Sequence, residues 1–187
     1  MRRDPLRRLI LSALFLSLGL VLPFLTMQIP ELGSALLPMH LPVLLCGALC
    51  GWAYALPVGA ILPILRFALF GMPPIYPTGL SMSLELAAYG AVMGLCYYLV
   101  RARRGRYSRI HVFLSLIISM LAGRAVWGVV QAVLLGLSEK PFGVQAFLAG
   151  ALLNAIPGIL LQIVLVPLVI ELAERLHHYG NIPRGEA

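Results

Sequence analysis

An all-α membrane protein, a compact bundle of six transmembrane helices with both termini cytoplasmic, is the fold class predicted by the 187-residue sequence. Three observations carry that reading. The chain is 60% hydrophobic and 11% charged, with a mean hydropathy of +0.94; a soluble domain is about half apolar and about a quarter charged. Its apolar residues fall in runs near the roughly 17 to 25 residues that a helix needs to cross a hydrocarbon layer. Its basic residues gather mainly between those runs.

The spans are expected at about 9–27, 39–55, 57–70, 80–100, 111–136 and 146–172, in a single integral-membrane domain over 1–187. The first follows the basic head MRRDPLRR. It is too long for a signal-peptide core and is followed by no small-residue cleavage site, so it reads as a retained helix. Pro57 and Pro63 interrupt a continuous apolar stretch over 41–70, which is short for two crossings of about 20 residues each. Two short helices joined near 55–59 are expected there. One bent helix with a re-entrant segment is the competing reading, and it would leave five crossings.

Charge separates these alternatives. Of the 14 Lys and Arg residues, Arg2, Arg3, Arg7 and Arg8 precede the first span, Arg101, Arg103, Arg104, Arg106 and Arg109 fill the connection RARRGRYSR, and Arg175 and Arg184 follow the last span. Six crossings put all three clusters in the cytoplasm, as the positive-inside rule expects. The basic excess therefore orients the chain, and no nucleic-acid partner is expected, because that would need a basic soluble surface.

The outer connections would then be 28–38, 71–79 and 137–143, with Glu31, Glu139 and Lys140 as their only charges. GMPPIYPTG should be stiff, because proline fixes φ, with Met72, Ile75 and Tyr76 packing back onto the bundle. It reads either as an interfacial hairpin anchored by Tyr76 or as a lid over a site.

Arg66, Glu85, Arg124, Gln131, Asn154 and Gln162 lie inside the apolar runs. An ionised group at bilayer depth costs several kcal/mol, so such residues usually face a cavity or a partner. By position along their spans, Arg66, Glu85 and Asn154 belong to the outer half and Arg124 to mid-depth. Tyr89 follows Glu85 by one helical turn, and Trp127 and Gln131 share the Arg124 face. This set suggests a pocket open to the outside, with an aromatic wall beside a guanidinium and an amide. An Arg66–Glu85 ion pair that only joins two helices is the structural alternative. Two arginines against one glutamate would leave a positive cavity, favouring an anionic ligand.

The run LPMHLPVLLCGALCG holds His40 between Pro38 and Pro42, ahead of Cys46 and Cys50. The two cysteines share a helix face, but zinc needs four ligands, and His40 lies well over a turn from Cys46. They read as small packing residues together with Gly47 and Gly51, and His40 as a binding residue at the mouth of the pocket. No metal, cofactor or catalytic set is expected, since no GxSxG, HExxH, Walker loop or carboxylate pair is present. Ser81 and Ser83 have no positioned base and read as polar packing.

The runs IPELGSALLPMHLPVLLCGALCG and GMPPIYPTGLSMSLELAAYG, with the chain's size, span pattern, basic fourth connection and apolar outer connections, resemble the substrate-binding S components of energy-coupling factor (ECF) vitamin transporters. The riboflavin, folate and pantothenate group is the one meant, and the likeness covers nearly the whole chain. It implies a bacterial cytoplasmic-membrane protein, not an enzyme, that captures a vitamin with high affinity on its outer face. Such a protein docks on a transmembrane coupling protein driven by two cytosolic ATPases, and topples to deliver its ligand inward. Carried over, the binding positions fall near 31–40, 76–89 and 127–154, which takes in His40, Tyr76, Glu85, Tyr89, Trp127, Gln131 and Asn154. Family members often contact the coupling protein through alanines spaced by four on the first helix. Here Ala13 and Ser17 take those places, and serine departs from the pattern.

The positive pocket points to a carboxylate-bearing vitamin, with pantothenate ahead of folate for size. Glu85 equally suits an amine or hydroxyl, as in pyridoxine or a thiamine precursor. A self-sufficient small secondary transporter and a structural membrane protein of a complex are the alternatives.

Overall fold

The computed structural model describes residues 5–26, 36–104, 109–137 and 155–179. These form α1 (Pro5–Val21), α2 (His40–Cys50), α3 (Trp52–Phe70), α4 (Leu80–Arg104), α5 (Arg109–Leu137) and α6 (Ile156–Tyr179), with a 3-10 turn at Leu22–Thr26 and a wide turn at Ile75–Gly79. Five of the helices are long and apolar enough to cross a membrane. The eleven residues of α2 rise only about 16 Å, well short of a hydrocarbon core of about 30 Å.

Sequence and surroundings match in each case. Along α1 only Ser12, Phe15 and Gly19 are buried, one stripe at helical spacing, while Leu6, Ile10 and Leu14 are exposed. Leu114, Leu121, Val164 and Leu168 on α5 and α6 are exposed in the same way. So large an apolar surface is a liability in water and the expected outer face of a membrane bundle. By contrast α2 is apolar all round, and nearly every residue from His40 to Cys50 is buried. A helix of that kind belongs at the centre.

The junction between α2 and α3 differs from the expected 55–59. It falls at Gly51, whose φ of 99° ends α2 and whose N–H donates to the carbonyls of Cys46 and Gly47. A positive φ suits glycine because it has no Cβ. Pro57 and Pro63 lie inside α3 without ending it, since within a packed membrane bundle neighbouring groups can take up the backbone partners a proline removes.

Close approaches fix the directions of the helices. Gly47 faces Gly90, Gly59 faces the Leu86 backbone and Gly94 faces Trp52, so α2 runs along α4 and α3 returns against it. A Cβ at Gly47 would stand 2.6 Å from the Gly90 carbonyl oxygen, which excludes a larger residue without a shift of the helices. Arg124 meets Glu85, Gly123 lies under the Tyr89 ring and Ser119 approaches Met93, so α5 is antiparallel to α4. Tyr97 donates to Glu174, and Arg109 pairs with Glu171, so α6 again runs with α4. The bundle therefore has two unlike ends. One gathers Arg8, Arg109 and Arg175, and the other carries the start of α2, the end of α3 and the turn before α4.

Candidate functional site

Four of the expected site residues come together at the less charged end. Glu85 and Tyr89 stand one turn apart on α4, His40 is the first residue of α2, and Arg124 reaches across from α5. The Glu85 Oε1 atom lies 2.9 Å from Arg124 Nη1 and 3.5 Å from His40 Nε2. The His40 ring meets the edge of Tyr89, with centroids 5.1 Å apart and planes at 78°. Gly123 makes room for that tyrosine, since a Cβ there would strike its ring.

The cluster is shut off from solvent. Glu85 and Tyr89 are each 1% exposed and His40 is 2% exposed. Its polar atoms are nevertheless incompletely matched. Both ring nitrogens of His40, Arg124 Nε and Nη2, and Gln131 Oε1 are buried without a hydrogen-bond partner, and the Glu85 Oε1 contacts are ion pairs rather than aligned hydrogen bonds. Buried polar groups are nearly always satisfied, so this concentration of unmatched donors and acceptors makes the cluster the candidate site. Trp127 and Gln131 continue the Arg124 face toward the end of α5.

The expected charge balance changes here. Glu85 pairs with Arg124, not with Arg66. The second arginine has its own setting: Arg66 Nη1 donates to the Leu20 carbonyl at 3.0 Å, and its guanidinium lies 5.5 and 5.6 Å from the ring centroids of Phe24 and Phe70. Leu20 belongs to the last turn of α1, where carbonyls lack helical partners, so Arg66 closes the end of that helix. Rotation of α3 about its axis directs Arg66 to α1 and away from α4. The cluster is consequently less positive than two free arginines would make it.

Tyr76 sits in the turn before α4 and donates to the Leu134 carbonyl of α5 at 2.6 Å. That bond ties the connection to the bundle, but Met72, Ile75 and Tyr76 stay exposed instead of packing back as expected, the hydroxyl hydrogen bond holding the turn without burying its side chains. Ser81 and Ser83 donate to the carbonyls of Thr78 and Gly79 and serve the local turn. Asn154 lies outside the described residues, as do Glu31, Glu139 and Lys140. Cys46 and Cys50 are free thiols, fully buried.

Residues 7–170 match the family of ECF transporter substrate-specific components. The chain belongs to that family. No curated protein and no solved structure matches this S component. Membership makes it a membrane transport protein that works with a coupling protein, and S components carry a substrate without transforming it. Among its described residues no three potential metal ligands gather.

One further residue of the S component belongs in view. Gln162 is fully buried on α6, with both side-chain amide atoms unpartnered. It precedes Glu174 by as many residues as Glu85 precedes Tyr97, and the Tyr97–Glu174 hydrogen bond therefore sets Gln162 level with Glu85. The sequence shows this glutamine as an amide in an apolar run. Its depth depends on the register between α4 and α6, which hydropathy does not carry.

Proposed function

We propose that this S component captures a small vitamin-like molecule bearing a carboxylate, held by Arg124 and His40 and flanked by Glu85, Tyr89, Trp127, Gln131 and Asn154. The observation that carries the reading is the set of unmatched polar atoms around the buried Glu85–Arg124 pair. Arg124 keeps two donor nitrogens for a ligand acceptor while Glu85 holds the third, so the carboxylate reading rests on Arg124 alone and no longer on Arg66. Tyr76 acts through the turn that it fastens to α5.

In this reading α2 is a sixth, short membrane helix, both termini lie in the cytoplasm of a bacterium, and the less charged end opens outward. The arginines at the opposite end support that orientation. Delivery requires an ECF coupling protein and two cytosolic ATPases. Ala13 and Ser17 are exposed on α1, and the Ser17 hydroxyl is turned back onto the Ala13 carbonyl at 3.0 Å. A small, self-satisfied strip of this kind allows close approach by a partner helix.

Native mass spectrometry of the protein purified alone tests the capture reading. A co-purifying or added anionic vitamin, one per chain, is the expected result. A protein that is empty and ignores a vitamin panel would refute it.

A further inference from the structure

A cavity lies at the basic end of the bundle, far from the Glu85 cluster. It is a groove of about 410 Å³ between the start of α1, the α2–α3 junction and the second half of α4. Arg8, Trp52, Tyr54 and Tyr98 line it, and Leu95 and Leu99 form its flank. The Arg8 guanidinium lies 5.6 Å from the centroid of the Tyr98 ring. Its Nε is buried with no hydrogen-bond partner, and among the described residues Arg8 has no carboxylate partner. Gly51, Trp52 and Ala53 also border the groove, so the positive end of the α3 dipole adds to the field of Arg8.

The surroundings select the kind of anion. Trp52 is 48% exposed, and Leu95 and Leu99 are 42% and 60% exposed, so the groove runs from a cation and an aromatic rim onto a bare apolar helix face. Tryptophan and tyrosine favour the level of lipid headgroups. A soluble anion would use the cation and leave the apolar flank idle. We propose that this groove binds the phosphate headgroup of an anionic phospholipid, with Arg8 as its ion partner and an acyl chain along Leu95 and Leu99. Basic pockets between membrane helices commonly hold such headgroups.

The test uses the full-length protein, delipidated in detergent and then given equal phosphatidylglycerol and phosphatidylcholine. Native mass spectrometry should show phosphatidylglycerol retained roughly fivefold better, the size of one basic contact near a membrane surface. Arg8→Gln should bring the two lipids to parity, Arg8→Lys should keep part of the preference, and Arg109→Gln should keep all of it. An unchanged preference in Arg8→Gln would overturn the proposal. So would full displacement of phosphatidylglycerol by millimolar inorganic phosphate, which would reassign the groove to a free anion.

A fluorescence measurement stands independently of these variants. The chain has two tryptophans, so Trp127→Phe leaves Trp52 as the sole reporter. Brominated phosphatidylglycerol should quench it more than brominated phosphatidylcholine, and equal quenching would count against the site. Neither experiment reads vitamin binding, so a failure of the lipid site is distinguishable from a failure of the capture reading.

Discussion

Arg66 and Arg124 look alike in the sequence, each an isolated cation in an apolar run, yet the α1–α3 seam and the α4–α5 seam use them differently. At the first seam the guanidinium meets a helix-terminal carbonyl and lies against two aromatic rings. At the second it meets a buried carboxylate and retains two unmatched nitrogens. One arrangement closes on itself and the other leaves donors unmatched. A buried charge is therefore judged by what its remaining donors can reach, more than by its depth.

The largest test of this contrast is Glu85→Ala. It strands Arg124 in a nearly water-free site, and breaking a buried pair in this way typically costs about 3 to 5 kcal/mol. Unfolding in detergent should show a loss of that order, with Glu85→Ala/Arg124→Met recovering most of it. A stable single variant would mean that the pair contributes little to holding α4 against α5.

Arg124→Gln comes next, with affinity as the readout. Loss of a charge-assisted contact should weaken an anionic ligand by about 2 kcal/mol, measured by isothermal titration on folded protein. Arg66→Met gives the mirror image. It removes a hydrogen bond and two cation–ring contacts, worth together about 1 to 3 kcal/mol of stability, and should leave affinity within about twofold. If Arg66→Met weakened the ligand as much as Arg124→Gln, the division between the seams would fail. The smallest effect is expected for Glu171→Gln at the exposed Arg109–Glu171–Arg175 cluster. Surface pairs of this sort contribute little, and its melting temperature should match that of the parent.

The helices themselves were legible in the sequence because apolar run length and flanking arginines report directly on a bilayer. The junction at Gly51 was displaced in the reading by Pro57 and Pro63. Prolines are visible breakers, whereas the positive φ of one glycine among many has no mark in the sequence. The Arg66–Glu85 pair, one alternative in the sequence, gives way to Glu85–Arg124. Arg66 and Arg124 both have suitable depth, and only the rotation of α3 and α5 about their axes decides which one faces α4. His40, Glu85, Tyr89 and Arg124 stand out in the sequence as polar residues in apolar runs, and the structure brings them into contact. The place of Gln162 depended on register between distant helices.

The short second helix has a kinetic consequence. α2 and α3 share the turn at Gly51 and run in opposite directions, but α3 is eight residues longer. At about 1.5 Å per residue, His40 stands roughly 12 Å short of the level where α3 ends. Under the proposed function, a molecule resting on that imidazole would sit below the level where α3 ends, and its escape would have to cover that depth. Residence time, more than encounter rate, is then the quantity that this helix length controls.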